Sequence, residues 1–104
     1  MKRVVVTGMS GITSIGSDWA SVEANFTANR SGIRHMDEWN RFTELNTRLA
    51  GPIDDFAVPA HWTRKQLRSM GRVSRFAVGA SEQALIDAGL LNDPIIRDGR
   101  MGTA

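Results

Sequence analysis

Apolar positions change their period along the chain, and each period predicts a different element. Val4-Val5-Val6 is a continuous β-branched run of the kind that fills a strand covered on both faces, so residues 3–8 read as a strand in a layered α/β protein. Gly8, Gly11 and Gly16 punctuate the next segment and allow a tight turn with close backbone approach. From Asp18, a helix-capping residue, Trp19, Val22, Glu23 and Phe26 recur at helical spacing to about Asn29. Arg30-Ser31-Gly32-Ile33 stops that helix. Residues 34–47 carry only scattered apolar anchors (Met36, Trp39, Phe42, Leu45) and read as irregular with a short helix.

Farther along, Arg48-Leu49-Ala50-Gly51 reads as a short strand that Pro52 blocks from further pairing. Thr63 and Gln66 form a capping box for a short helix running to about Met70. The clearest helix spans residues 72–88 and stops at Gly89. Its apolar face is Val73, Phe76, Ala77, Ala80, Ala84, Leu85 and Ala88, whose small members suit close packing. The expectation is one layered core holding strand 3–8 and this helix, with Phe76, Ala80 and Ala84 buried. Residues 100–104 read as the opening of a further strand. With few strands to flank residues 3–8, residues 1–104 are not expected to make a self-sufficient fold, and no internal domain boundary is read.

Composition narrows the picture modestly. The 104 residues suffice for one small domain, and 41% hydrophobic with 23% charged residues is ordinary for a soluble protein. Without cysteine the chain has no disulfide and no thiolate metal site, which fits a reducing compartment. No apolar run reaches the roughly 20 residues that span a bilayer. Met1-Lys2-Arg3 before the valines resembles the start of a secretion signal, but Thr7-Gly8 breaks the apolar stretch too early. A cytoplasmic location is the expectation. A net charge of +2 does not by itself indicate nucleic acid.

Most candidate chemistry reads as structure. The spacing Gly8-x-x-Gly11-x-x-x-x-Gly16 matches neither the dinucleotide fingerprint nor a phosphate loop, which leaves a structural turn as the main reading. His35 and His61 lack ligand partners at helical spacing, so no metal site is expected. Asp54 and Asp55 are adjacent and diverge, unlike an acid/base pair. Ser10, Ser14 and Ser17 have no nearby base. The exception is a basic run, Arg64, Lys65, Arg68, Arg72 and Arg75, uninterrupted by acid between Asp55 and Glu82. Arg64, Arg68 and Arg72 share one face at four-residue spacing if the helix continues through Gly71. Such a run is either a solvated helix face or a docking patch for an acidic partner. It lacks the interleaved aromatics of a nucleic-acid site.

Several segments, in order, resemble the β-ketoacyl-acyl carrier protein synthases of the thiolase superfamily, particularly the 3-oxoacyl-ACP synthase II type. The opening Val4-Val5-Val6-Thr7-Gly8 with its Ser/Gly loop resembles the family's N-terminal strand, Thr-Gly and Ser/Thr-Pro-x-Gly loop. Asn29-Arg30-Ser31-Gly32-Ile33 resembles the segment after its first helix, and Ala50-Gly51-Pro52-Ile53-Asp54-Asp55-Phe56 its Ala-Gly…Asp-Phe stretch. Ala84-Leu85-Ile86-Asp87-Ala88-Gly89-Leu90 is similar to its Ala-Leu-x-Asp-Ala-Gly-Leu helix end, and Arg100-Met101-Gly102 to the start of its next strand. Ser14 stands in place of the usual proline, Ser10 of a frequent glycine, and Gly71 of a frequent aspartate. These departures leave the fold intact and bear on ordinary fatty-acid elongation. Glu38-Trp39, Pro52-Ile53-Asp54-Asp55-Phe56 and Arg68-Ser69-Met70-Gly71-Arg72-Val73-Ser74 look more like the branch found in aryl-polyene-type clusters.

The resemblance implies an α/β chain, the N-terminal portion of a thiolase-like α-β-α-β-α layered fold, covering residues 1–104. It implies a dimeric condensing enzyme, homodimer or heterodimer, that extends an acyl chain on acyl carrier protein with malonyl-ACP. The acyl groups ride on the carrier's phosphopantetheine, and no cofactor of the enzyme's own is implied. A cysteine nucleophile and two histidines do the chemistry in that family. None of them falls in this chain, so no catalytic residue is expected here. What carries over is carrier docking: Lys65 and Arg68 match carrier-binding positions, Arg64 is adjacent, and Ser69 replaces a third basic position. Two other readings are an inactive chain-length-factor subunit and a small basic α/β binding module.

Overall fold

The computed structural model describes residues 1–104 as two compact units, one comprising residues 1–11 and 58–104, the other residues 12–57. In the second unit, the glycine-rich segment closes on itself through Thr13 and Gly16. The Thr13 N–H donates to the Gly16 carbonyl at 3.0 Å, the reverse bond is 3.3 Å, and Thr13 Oγ1–H adds a third at 2.7 Å. The sequence-predicted helix forms as α1, Trp19–Thr27. Asp18 caps it, accepting from the Ser21 N–H at 2.9 Å and its hydroxyl at 2.7 Å. Asn25 Nδ2 donates to the Ile15 carbonyl at 2.7 Å and ties the turn to α1.

Leu49–Ala50 forms β2, as the sequence predicts, and pairs antiparallel with β1, Arg34–His35, which lies in a stretch expected to be irregular. A 3₁₀ turn at Asp37–Arg41 comes after β1. Gly32 and Gly51 both border Ser14. A Cβ on Gly51 would lie 2.9 Å from the Ser14 hydroxyl oxygen, and one on Gly32 would clash with it outright.

In the first unit, α2 spans Arg64–Arg68 and α3 spans Arg72–Asp87. The capping box forms in both directions: Gln66 N–H donates to Thr63 Oγ1 at 3.2 Å, and Thr63 N–H to Gln66 Oε1 at 2.8 Å. Past α3, Gly89 takes φ +69, and Leu90 N–H reaches back to the Leu85 carbonyl at 2.8 Å, a glycine-dependent helix stop. A further 3₁₀ turn occupies Pro94–Ile96 under an Asp93 cap.

Three expectations are corrected. Residues 3–8 are not a strand. Strands are defined by cross-strand hydrogen bonds, and the one sheet within residues 1–104 is β1–β2. The valines therefore stand open, with Val4 94% and Val6 77% exposed. The segment is nevertheless docked: Gly8 presses so closely on α3 that a Cβ would sit 2.5 Å from the Ala84 carbonyl oxygen and 2.6 Å from Ala88 N. The Met9 N–H then donates to Asp87 Oδ2 at 2.9 Å. Second, the α3 face is only half-buried at Phe76, Ala80 and Ala84, while Val73 and Ala77 are exposed. No residue of that face is fully buried; the buried position of α3 is Gly79. Third, residues 100–104 form no strand: Arg100 is a bend and 101–104 have no regular structure, because no strand lies beside them to receive their backbone bonds. Trp62, at 9% exposure, is the one buried apolar side chain. No helix is long and apolar enough to cross a membrane.

Candidate functional site

The glycine-rich turn uses its own amides internally: those of Thr13 and Gly16 bond each other's carbonyls, and that of Ile15 bonds Thr13 Oγ1 at 3.3 Å. The Asp18 carboxylate occupies the N-terminus of α1, and the Ser21 backbone and hydroxyl bonds hold it below the usual carboxylate range. These bonds make the segment 13–16 a closed structural turn. His35 pairs with Asp37 (2.9 Å) and His61 with Glu82 (2.7 Å). Asp54 is engaged by Arg34. These are two-residue pairs, and no group of three metal-ligating side chains converges.

The basic run separates into distinct roles. Gly71 adopts extended backbone (φ −69, ψ 176), so α2 and α3 are separate helices and the four-residue spacing does not continue from Arg68 to Arg72. Arg72 lies over its own helix, its guanidinium carbon 5.3 Å from the Phe76 ring centre. Arg75 turns back toward the end of α2. Its Nε donates to the Met70 carbonyl at 3.2 Å and its Nη2 to the Leu67 carbonyl at 3.4 Å. Of the five basic residues in the run, Arg64, Lys65 and Arg68 are exposed together on α2, whereas Arg72 and Arg75 belong to α3.

That cluster costs the helix stability. Arg64–Arg68 and Lys65–Arg68 are like-charge pairs at helical spacing, each unfavourable by about 0.2–0.5 kcal/mol. Arg64 also places positive charge at the positive end of the helix dipole. A five-residue helix is marginal alone. The capping box, worth about 1 kcal/mol, offsets part of this.

Much of the rest comes from residues whose roles the sequence does not announce. Glu82 on α3 accepts from Trp62 Nε1–H at 3.1 Å through Oε2 and meets His61 Nε2 at 2.7 Å through Oε1. Its side chain is only 17% exposed. The Trp62 bond, and then His61, hold its carboxyl below the usual carboxylate range against the opposing effect of burial. One signal for Trp62 is present: it directly precedes the Thr63 cap, with Leu67 at the matching position of a hydrophobic staple. No local signal pairs Glu82 with residues twenty positions upstream.

With this geometry in view, the relatives are informative. Residues 1–103 match the family model described as "Beta-ketoacyl synthase, N-terminal domain". The chain is 37% identical over 100 residues to 3-oxoacyl-[acyl-carrier-protein] synthase 1 of Haemophilus influenzae, covering 94% of this chain and 24% of that protein. It is 34% identical over 97 residues to 3-oxoacyl-[acyl-carrier-protein] synthase 2 of Synechocystis sp., covering 93% and 23%. A crystal structure of a β-ketoacyl synthase from Burkholderia phymatum superposes with a TM-score of 0.89 at 57% identity, over 98% of this chain and 25% of that one. The chain therefore spans about a quarter of the length of the curated relatives it matches. It belongs to the β-ketoacyl synthase family, as N-terminal-domain sequence of that family's thiolase-like α/β fold.

Proposed function

We propose that this chain supplies the carrier-docking surface of a condensing enzyme that elongates an acyl chain held on acyl carrier protein. The reaction is a decarboxylative Claisen condensation with malonyl-ACP. The acyl group first passes from the carrier's thiol to an enzyme thiol, freeing the carrier; carbon dioxide then leaves malonyl-ACP, the resulting carbanion attacks the enzyme-bound thioester, and the enzyme's thiolate departs. The chain contains no cysteine, so the nucleophile is not among these residues. Their contribution is recognition.

The observation that carries the reading is the basic face of α2. Arg64, Lys65 and Arg68 are exposed on a helix with no acidic residue, and they persist despite mutual repulsion. Uncompensated charge of one sign is suited to steering an oppositely charged partner and fixing its register. The chain's relatives are named as acyl-carrier-protein synthases, which supports an acyl carrier protein as the partner. By the resemblance to the family, Lys65 and Arg68 match carrier-binding positions, with Arg64 adjacent. The direct test is titration of the full-length gene product with acyl carrier protein. Binding that weakens steeply with salt supports the reading, and binding unaffected by Lys65→Glu/Arg68→Glu removes it.

A further inference from the structure

Helix α2 is held at both ends by side chains of α3, and the two clamps bracket the basic residues. Before the helix, Glu82 binds His61 and Trp62, the residues immediately preceding the Thr63 cap. After it, Arg75 donates to the carbonyl of Met70 and to that of Leu67, which also accepts the Met70 N–H at 3.3 Å. Glu82 and Arg75 lie seven positions apart, two turns of α3, and so rise from one side of it. We propose that Arg75 and Glu82 are positioning residues for partner recognition: they fix α2 on α3 so that Arg64, Lys65 and Arg68 are presented as one rigid basic face.

This rests on the docking reading and adds a distinct claim. Fixing the helix matters because a flexible patch loses freedom on binding, at an entropic cost that a fixed one has already met. It also reassigns Arg75. Counted from sequence it belongs to the patch; in the structure its guanidinium is committed to main-chain carbonyls, so it acts through the others and not on the partner.

Charge makes the inference separable from plain electrostatics. Glu82→Ala removes a negative charge beside the patch, so long-range attraction alone would tighten binding to an acidic carrier. Arg75→Lys keeps the charge and loses the fork that reaches two carbonyls. Both variants are therefore expected to weaken binding only if geometry is what they supply.

The experiment is titration of labelled acyl carrier protein with the full-length gene product carrying Glu82→Ala, Arg75→Lys, Glu82→Gln or Lys65→Glu/Arg68→Glu. Hydrogen exchange of the 64–70 amides is measured in parallel. Glu82→Ala and Arg75→Lys are expected to raise Kd by about three- to tenfold and to speed exchange in α2. Glu82→Gln, which keeps an acceptor for Trp62 and a donor for His61, is expected to restore most of both. Unchanged or tighter binding by Glu82→Ala together with unchanged binding by Arg75→Lys overturns the positioning role. So does weakened binding with α2 exchange unaltered. If Lys65→Glu/Arg68→Glu also leaves Kd unchanged, the docking reading falls with it; if that variant alone weakens binding, docking stands and only the positioning claim fails.

Discussion

Replacing Trp62 by alanine should be the most damaging single truncation in the chain. A buried tryptophan removes about 150–250 Å² from water, and with Trp62 only 9% exposed nearly all of that area is hidden. At about 25 cal/mol per Å² the lost burial amounts to about 3–6 kcal/mol, an upper estimate because the unfolded chain hides some of it too. The truncation also strands Glu82, whose Oε2 accepts the indole N–H at 3.1 Å; a hydrogen bond to a charged group adds about 1.5–3 kcal/mol. Trp62→Phe separates the two contributions, keeping most of the area and losing the N–H. The assay is urea unfolding of the full-length gene product monitored by far-UV circular dichroism. Trp62→Phe should lower the midpoint by the equivalent of about 1–3 kcal/mol, and Trp62→Ala by clearly more, with the slope unchanged. A loss below about 1 kcal/mol for Trp62→Ala would show that this side chain is not the anchor between the α2 entry and α3.

The same geometry gives three further outcomes. Gly8→Ala forces a Cβ to within 2.5–2.6 Å of α3 backbone atoms that cannot move aside, so it should cost about 1–3 kcal/mol in the same unfolding assay, and a neutral result would break the docking of residues 8–9 on α3. Glu82 has a lowered folded pKa, so its stabilisation is complete above its usual value of 4.5 and is lost as pH falls through the lower folded value; Trp62 fluorescence should change only below 4.5, and should not titrate there in Glu82→Gln. Residues 1–104 expressed alone should show no sharp thermal transition, because one buried apolar side chain cannot offset an ordering cost of about 1–2 kcal/mol per residue, and a cooperative monomeric melt would contradict this.

What is legible in the sequence is what local chemistry decides. Asp18, the Thr63–Gln66 box and Gly89 mark the helix ends within a residue or two, because capping bonds are made between near neighbours. Strand pairing is not local. Val4-Val5-Val6 has strand propensity but no neighbouring strand here, whereas Arg34–His35, which lacks it, pairs with β2. The candidate site divides along the same line. Lys65, Arg68 and Arg64 are visible as charges in a row; that Arg75 leaves the row to bond carbonyls, and that Glu82 anchors the helix entry, depends on how α3 meets α2 beyond Gly71.

The central claim is that α2 recognises an acidic carrier, and one comparison tests it most directly. Turnover of carrier-linked substrate and of a small carrier-free thioester is measured for wild type and Lys65→Glu/Arg68→Glu at low and high salt. The variant should lose about tenfold or more kcat/KM on the carrier-linked substrate at low salt, far more than on the free thioester. The gap should narrow at high salt, as charges separated by more than about 8 Å are already largely screened at physiological ionic strength. Equal losses on both substrates, or no loss on either, would contradict the account.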